Sequence, residues 1–126
     1  VKRLGLFLAL AATATAAPSQ SFFRALHLVE TSGRHGPILG DGGKALGPLQ
    51  IHRNYHRDSG IPGDYSRCAD LGYAKQVVTA YLKRFAPRAW AKGDVRTLAR
   101  VHNGGPAGAT KAATISYANK VLKACK

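Results

Sequence analysis

The sequence predicts an α+β domain, predominantly α-helical, with one small β-hairpin in its first third. Two observations carry that expectation. Four stretches repeat apolar residues at helical spacing, and one glycine-dense stretch from Gly33 to Gly47 separates the first of them from the rest. A third observation bears on function. Glu30, the only glutamate in 126 residues, stands where the first helix gives way to that glycine-dense stretch.

The elements follow in order. In SQSFFRALHLVETSG, Phe22, Phe23, Leu26 and Val29 share one helical stripe, with Ser21 as the expected cap and an end near Gly33. GDGG, at residues 40–43, reads as a tight turn between two short extended pieces. IHRNYHRDSG is long enough for a short helix stopping at Gly60, and IPGDYS is a loop. SRCADLGYAKQVVTAYLKRFA carries the longest helix signal. Tyr73, Val77, Tyr81 and Phe85, with Val78 and Leu82 beside them, form a continuous apolar face that Pro87 ends. DVRTLARVH opens on Asp94 as a cap and turns Leu98 and Val101 inward, and NGGPAG breaks it. The last helix aligns Ile115, Ala118, Val121 and Leu122.

The first residues have the layout of a secretory signal peptide. Lys2 and Arg3 precede the apolar run Leu4–Leu10, and Ala14-Thr15-Ala16 fits the small-x-small rule for cleavage after Ala16. The apolar stretch is shorter than the roughly 20 residues a transmembrane helix needs. Residues 17–126 are then expected to form a single exported domain, secreted or periplasmic. Nineteen Lys and Arg against six Asp and Glu give a formal charge of +13, and loss of Lys2 and Arg3 would leave +11. Such a surface seeks polyanions: nucleic acid, anionic lipid or an acidic cell wall. The aromatics fall mainly on helix stripes that read as core rather than interleaving with the basic residues, which argues against a specific nucleic-acid site. An even cysteine count in an exported protein predicts one disulfide, Cys68–Cys125, with two unrelated buried thiols as the alternative. Two cysteines cannot make a four-ligand zinc site, and the five histidines show no ligand spacing, so neither metal nor cofactor is expected.

Glu30 and Asp41 are the candidate catalytic pair. Glycosidases commonly use one carboxylic acid to protonate the leaving oxygen and a second carboxylate to support charge developing at the anomeric carbon. The acid belongs on a rigid element against apolar walls, and Glu30 follows LHLV at the end of a helix. Asp41 lies eleven residues on, in a turn able to aim it back across a cleft. The plain alternatives are a solvated helix-end Glu and a turn-forming Asp.

Two longer motifs lead further. VETSGRHG, followed by LGDGGKALGPLQIHRNYHRDSG, resembles the active-site region of invertebrate-type (destabilase) lysozymes, with its Val-Glu-Ser-Gly-like start and its Gly-Pro-aromatic-Gln-Ile. RVHNGGPAG and KAATISYANKV are similar to that family's Arg-Ile-His-Asn-Gly-Gly-Pro-x-Gly and to the helix after it. CADLGYAKQVVTAYLKRF resembles the helix between them, so the likeness runs from about Phe22 to Cys125.

The resemblance implies a lysozyme-like fold whose hairpin flanks a cleft. It implies a muramidase that cleaves the β-1,4 bond between N-acetylmuramic acid and N-acetylglucosamine in peptidoglycan, an antimicrobial activity, and chitin is a substrate of the same chemistry. By it, Glu30 matches the general acid and Asp41 the second carboxylate. Gln50 and Tyr55 border the cleft, and His102, Asn103, Gly104 and Gly105 match the segment facing Glu30 from the other side. Asn103 and Gly104 also serve as plain helix-ending residues. The chain departs from the family pattern in holding two cysteines, and in placing His56 and Ala118 where the family has tryptophan. Two rival readings remain: a lytic transglycosylase using Glu30 alone, and a non-enzymatic cationic protein that binds walls, membranes or nucleic acid. Some members of that family are also isopeptidases, but spacing identifies no Ser-His or Ser-Lys site for this.

Overall fold

The structure, a computed structural model, describes residues 17–126, and the expected signal peptide lies outside the described residues. Helix α1 spans Gln20–Thr31. Its cap is Ser19 rather than the expected Ser21: Ser19 Oγ accepts the backbone N–H of Ser21 at 3.3 Å. The helix closes by a Schellman-type turn, Ser32 N–H donating to Leu28 O and Gly33 N–H to His27 O. Ser32 takes φ 58°, which stops the helix two residues after Glu30.

The glycine-dense segment forms more than the expected hairpin. Strands β1 (Leu39–Gly40), β2 (Ala45–Leu46) and β3 (Ile51–His52) make an antiparallel sheet in that order. Leu39 faces Leu46 and Gly40 faces Ala45 across the first pair; Ala45 faces His52 and Leu46 faces Ile51 across the second. Ile51 and His52, expected to open a helix, are therefore strand. The cause is a reversal at Pro48-Leu49-Gln50, where Gln50 takes φ 55° and donates its N–H to Gly47 O at 3.0 Å. That turn drives Leu49 and Ile51 into the core, both with zero exposure.

Helix α2 (Arg53–Ser59) ends on Gly60, whose φ of 75° accommodates the left-handed cap. Residues Tyr65–Ala69 form a 3-10 segment, so α3 begins only at Leu71 and runs to Phe85. Asp70 caps it, Oδ2 accepting the Tyr73 N–H at 2.9 Å. Pro87 ends α3 and also opens a short helix, α4 (Pro87–Lys92), because proline at the first helical position forfeits no hydrogen bond. Asp94 caps α5 (Val95–Gly104) as expected, and α6 spans Ile115–Ala124.

The four apolar stripes converge. Phe22 and Leu26 of α1, Val77, Val78 and Leu82 of α3, Leu98 of α5 and Val121 of α6 are all fully buried. Each such side chain stabilises the fold by roughly 1.5–3 kcal/mol relative to exposure. Ile115 is the exception to its predicted stripe, 44 % exposed at the start of α6.

The expected disulfide is not formed; Cys68 and Cys125 are free thiols. Each is attached to a different part of the core. The Cys68 backbone carbonyl abuts Gly47 beside the sheet, whereas Cys125 ends α6 with its Sγ 3.9 Å from Ser21 O of α1. Burial pushes the Cys68 thiol up to about 11 and raises that of Cys125 as well. Among the described residues no helix is long and apolar enough to cross a membrane.

Candidate active site

Glu30 lies in the last turn of α1, its side chain 18 % exposed. Its Oε2 accepts the hydroxyl proton of Tyr117, on α6, at 2.6 Å. The same oxygen lies 3.2 Å from Nε2 of His102, in the last turn of α5. His102 is itself held from behind, its Nδ1 2.8 Å from the hydroxyl of Tyr55 on α2. Tyr55 stacks on Tyr81 of α3 at 3.6 Å between centroids and 11° between planes. Five helices thus converge on one carboxyl group. When Glu30 is ionised, Tyr55 donates to His102 Nδ1, His102 Nε2–H donates to Glu30, and Tyr117 donates from the other side.

The two phenols are fixed in their donating form. Burial first, then the charge and hydrogen bond of Glu30, pushes Tyr117 well above the usual phenol range. Tyr55 is raised well above it by burial, then by Tyr81 and Glu30.

Asp41 begins the turn between β1 and β2 with φ 51°, a conformation that aspartate tolerates better than most residues. Its Oδ2 lies 3.2 Å from Nε2 of His52 on β3, and its side chain is 64 % exposed. Ser32, Asp41 and Gln50 are the non-glycine residues with positive φ among the described residues; Asp41 and Gln50 line a cavity with Glu30, and Ser32 ends the helix that carries Glu30. Strained backbone of this kind clusters where side chains must be aimed.

A cavity of about 390 Å³ brings together Glu30, Asp41, Gln50, His102 and Asn103, with His52 beside them. A smaller one of about 210 Å³ adjoins it and is lined by Tyr55, Asn103, Gly104 and Gly105. The residues singled out from the sequence therefore meet in two neighbouring hollows, but they do not all lie open. Tyr55 is 8 % exposed with its hydroxyl engaged by His102, which places it behind that residue. Gln50 Nε2 donates to Ile38 O at 3.2 Å and Gly47 O at 3.0 Å, bracing the sheet. Gly40 leaves room for this brace, since a Cβ there would overlap Gln50 Oε1. Gly104 is required by packing: a Cβ would come 2.5 Å from Thr114 Cγ2.

Tyr117, His52 and Tyr81 are site residues that sequence reasoning did not single out. A tyrosine one residue before Ala118 looks like part of a core stripe, and His52 sat in a stretch expected to be helical. Among the described residues no group of three His, Cys, Asp or Glu side chains is placed to hold a metal ion.

The Destabilase family model matches residues 27–125, a span that includes both carboxylates, His102 and Tyr117. The chain belongs to the Destabilase family. Among its relatives, a lysozyme of Magallana gigas is 39 % identical over 79 residues, which are 61 % of this chain and 58 % of that protein. Lysozyme 1 of Crassostrea virginica is 34 % identical over 109 residues, covering 82 % of this chain and again 58 % of the relative. The match thus spans less than two thirds of the length of these relatives. The fold agrees with the Destabilase assignment: the crystal structure of Tapes japonica lysozyme superposes with a TM-score of 0.71 at 31 % identity, over 85 % of this chain and 93 % of that one. The α+β lysozyme-like fold expected from the sequence is the fold of the chain.

Proposed function

We propose that this chain is a secreted glycoside hydrolase of the muramidase type, acting on the β-1,4 bond between N-acetylmuramic acid and N-acetylglucosamine in peptidoglycan. The observation that carries the reading is Glu30 held by Tyr117 and His102 at the edge of a cavity that also contains Asp41. The lysozyme names of its relatives support the same chemistry.

In this reading Glu30 gives its proton to the bridging oxygen as the bond from that oxygen to the anomeric carbon breaks. The carboxylate left behind gains full strength from the Tyr117 and His102 donors, so those hydrogen bonds favour the transition state over the ground state. Asp41 supports the positive charge at the anomeric carbon, as an ion partner or as a nucleophile. Water then adds to that carbon and returns a proton to Glu30; where Asp41 has formed a bond to the carbon, the water displaces it and Asp41 leaves as the carboxylate. Asn103 and the backbone at Gly104 and Gly105 offer donors and acceptors for hydroxyl and N-acetyl groups along the adjoining hollow. The formal charge, +11 once Lys2 and Arg3 are lost with the signal peptide, holds the protein on an anionic wall, with a strong dependence on salt.

One observation favours a second reading. Asp41 is paired with His52 and largely exposed, as a residue not needed for chemistry would be. A lytic transglycosylase would use Glu30 alone, and the 6-hydroxyl of the muramic acid would displace the leaving sugar in place of water. Release of new reducing ends from purified peptidoglycan, compared between wild type and Glu30→Gln, tests the enzymatic reading. It is expected in the first and lost by roughly 10²–10⁴-fold in the second. Wall damage that Glu30→Gln leaves intact would point instead to a cationic binder.

A further inference from the structure

A larger cavity, of about 660 Å³, opens beside the Glu30–Asp41 cavity, and His52 lines both. Two cations contribute to it, Lys44 from the residues between β1 and β2 and Arg53 from the first position of α2. Leu39, Leu46 and Tyr65 add apolar surface. Arg53 is presented rather than loose: its Cζ lies 4.5 Å above the centroid of the Tyr65 ring, and the Tyr65 hydroxyl donates to Ile51 O at 2.6 Å. Held over a ring face, a guanidinium keeps N–H groups free for a carboxylate, which it can receive bidentately. Among the described residues no ion pair engages either cation. Asp64 also lines the cavity; its Oδ2 accepts the Ser66 N–H at 2.9 Å and caps the 3-10 segment. The Ser66 hydrogen bonds, with the charge of Arg53 behind them, hold its carboxyl below the usual range, which leaves the lining with two cations against one carboxylate.

The sugars of a wall glycan are uncharged, so a strand lying along Glu30 and Asp41 gives these cations nothing to bind. Its charge lies on the peptides that branch from alternate sugars and end in free carboxylates. We infer that this cavity is a subsite for the acidic peptide branch of the wall polymer. Lys44 and Arg53 pair with carboxylates there, and Leu39, Leu46 and Tyr65 take the aliphatic portions. The inference rests on the function proposed above, because a branch reaches the cavity only from a strand lying beside His52.

The test compares two soluble substrates that differ only in the branch: a glycan oligomer carrying its peptides, and the same oligomer with the peptides cut away and the lactyl carboxylates so freed converted to methyl amides. In Lys44→Gln/Arg53→Gln, kcat/KM on the peptide-bearing oligomer is expected to fall about tenfold, through KM. The stripped oligomer is expected to be cleaved as by wild type. Amidating the branch carboxylates should lower wild type to the level of the double variant. An equal fall on both oligomers, or none on either, would overturn the subsite. The stripped oligomer reports on the carboxylate pair alone, so wild-type inactivity on both substrates would count against the muramidase reading instead. The subsite is then decided by titrating the peptide-bearing disaccharide onto the protein. Saturable binding weakened about tenfold in the double variant would support it, and no binding to wild type would overturn it.

Discussion

Tyr117 donates its hydroxyl proton to Glu30 across 2.6 Å, although 87 positions separate them in sequence. The contact ties the first helix to the last at the point where the chemistry is proposed to occur. Hydrogen bonds to a charged group contribute about 1.5–3 kcal/mol each, and this one reaches its full value only as Glu30 loses its proton. Tyr117→Phe is therefore expected to lower kcat by roughly tenfold or somewhat more, with KM little changed. Tyr55→Phe acts one step further away, through His102, and should cost less. Steady-state kinetics on a soluble glycan oligomer reads both effects, and an unchanged kcat in Tyr117→Phe would remove the phenol from the account.

The same two tyrosines predict an alkaline limb in stability. Both are raised in the folded chain, whereas in the unfolded chain they titrate near the ordinary value of 10.0. Below that value both states hold these two protons and the tyrosines add no slope, although the raised thiols of Cys68 and Cys125, ordinarily at 9.0, begin the fall about one pH unit earlier. Above it the unfolded chain loses protons that the folded chain keeps, so stability falls as pH rises. The slope is about 1.4 kcal/mol per pH unit for each tyrosine. Urea unfolding at a series of pH values from neutral to alkaline measures this, and either phenylalanine variant should flatten the limb by about one such increment.

Gly104 offers a packing test that leaves the carboxylates untouched. Gly104→Ala places a methyl group 2.5 Å from Thr114 Cγ2, and overpacking of this kind costs about 1–3 kcal/mol. Thr114→Ser removes that methyl while keeping the hydroxyl, which accepts from Arg100 Nε and lies 2.8 Å from the carbonyls of Gly108 and Lys111. The double variant should regain most of the loss. Gly108→Ala should find no such rescue, because its Cβ would overlap the backbone carbonyl of Arg100.

The thiols give a direct chemical check on the fold. With Cys68 buried and pushed up to about 11, a thiol reagent at neutral pH should leave it unmodified in the folded chain and react slowly at Cys125. Unfolding without reductant should release two reactive thiols. A count of zero would restore the disulfide.

Much of this architecture was legible because it rests on local pattern. The stripes of α1, α3, α5 and α6, the Asp94 cap and the Gly60 stop depend on neighbours a few positions away. β3 and α4 were missed for opposite reasons. A two-residue strand exists only through its partner, and Pro87 can begin a helix as readily as end one. At the site, Glu30 stood out by scarcity and Asp41 by its glycine turn. His102 stood out only through the resemblance to destabilase lysozymes. Tyr117 and His52 were invisible because each takes its meaning from a contact, one with Glu30 and one with Asp41. The cysteine pairing failed because parity carries no information about where two side chains end up.

The central claim is that two carboxylates, not one, cleave the wall glycan. Mass analysis of the fragments that wild type and Asp41→Asn release from purified peptidoglycan tests it most directly. The account predicts muropeptides with reducing ends from wild type and almost none from Asp41→Asn. Anhydro-muropeptides released equally by both would contradict it and leave Glu30 as the sole catalytic acid of a transglycosylase.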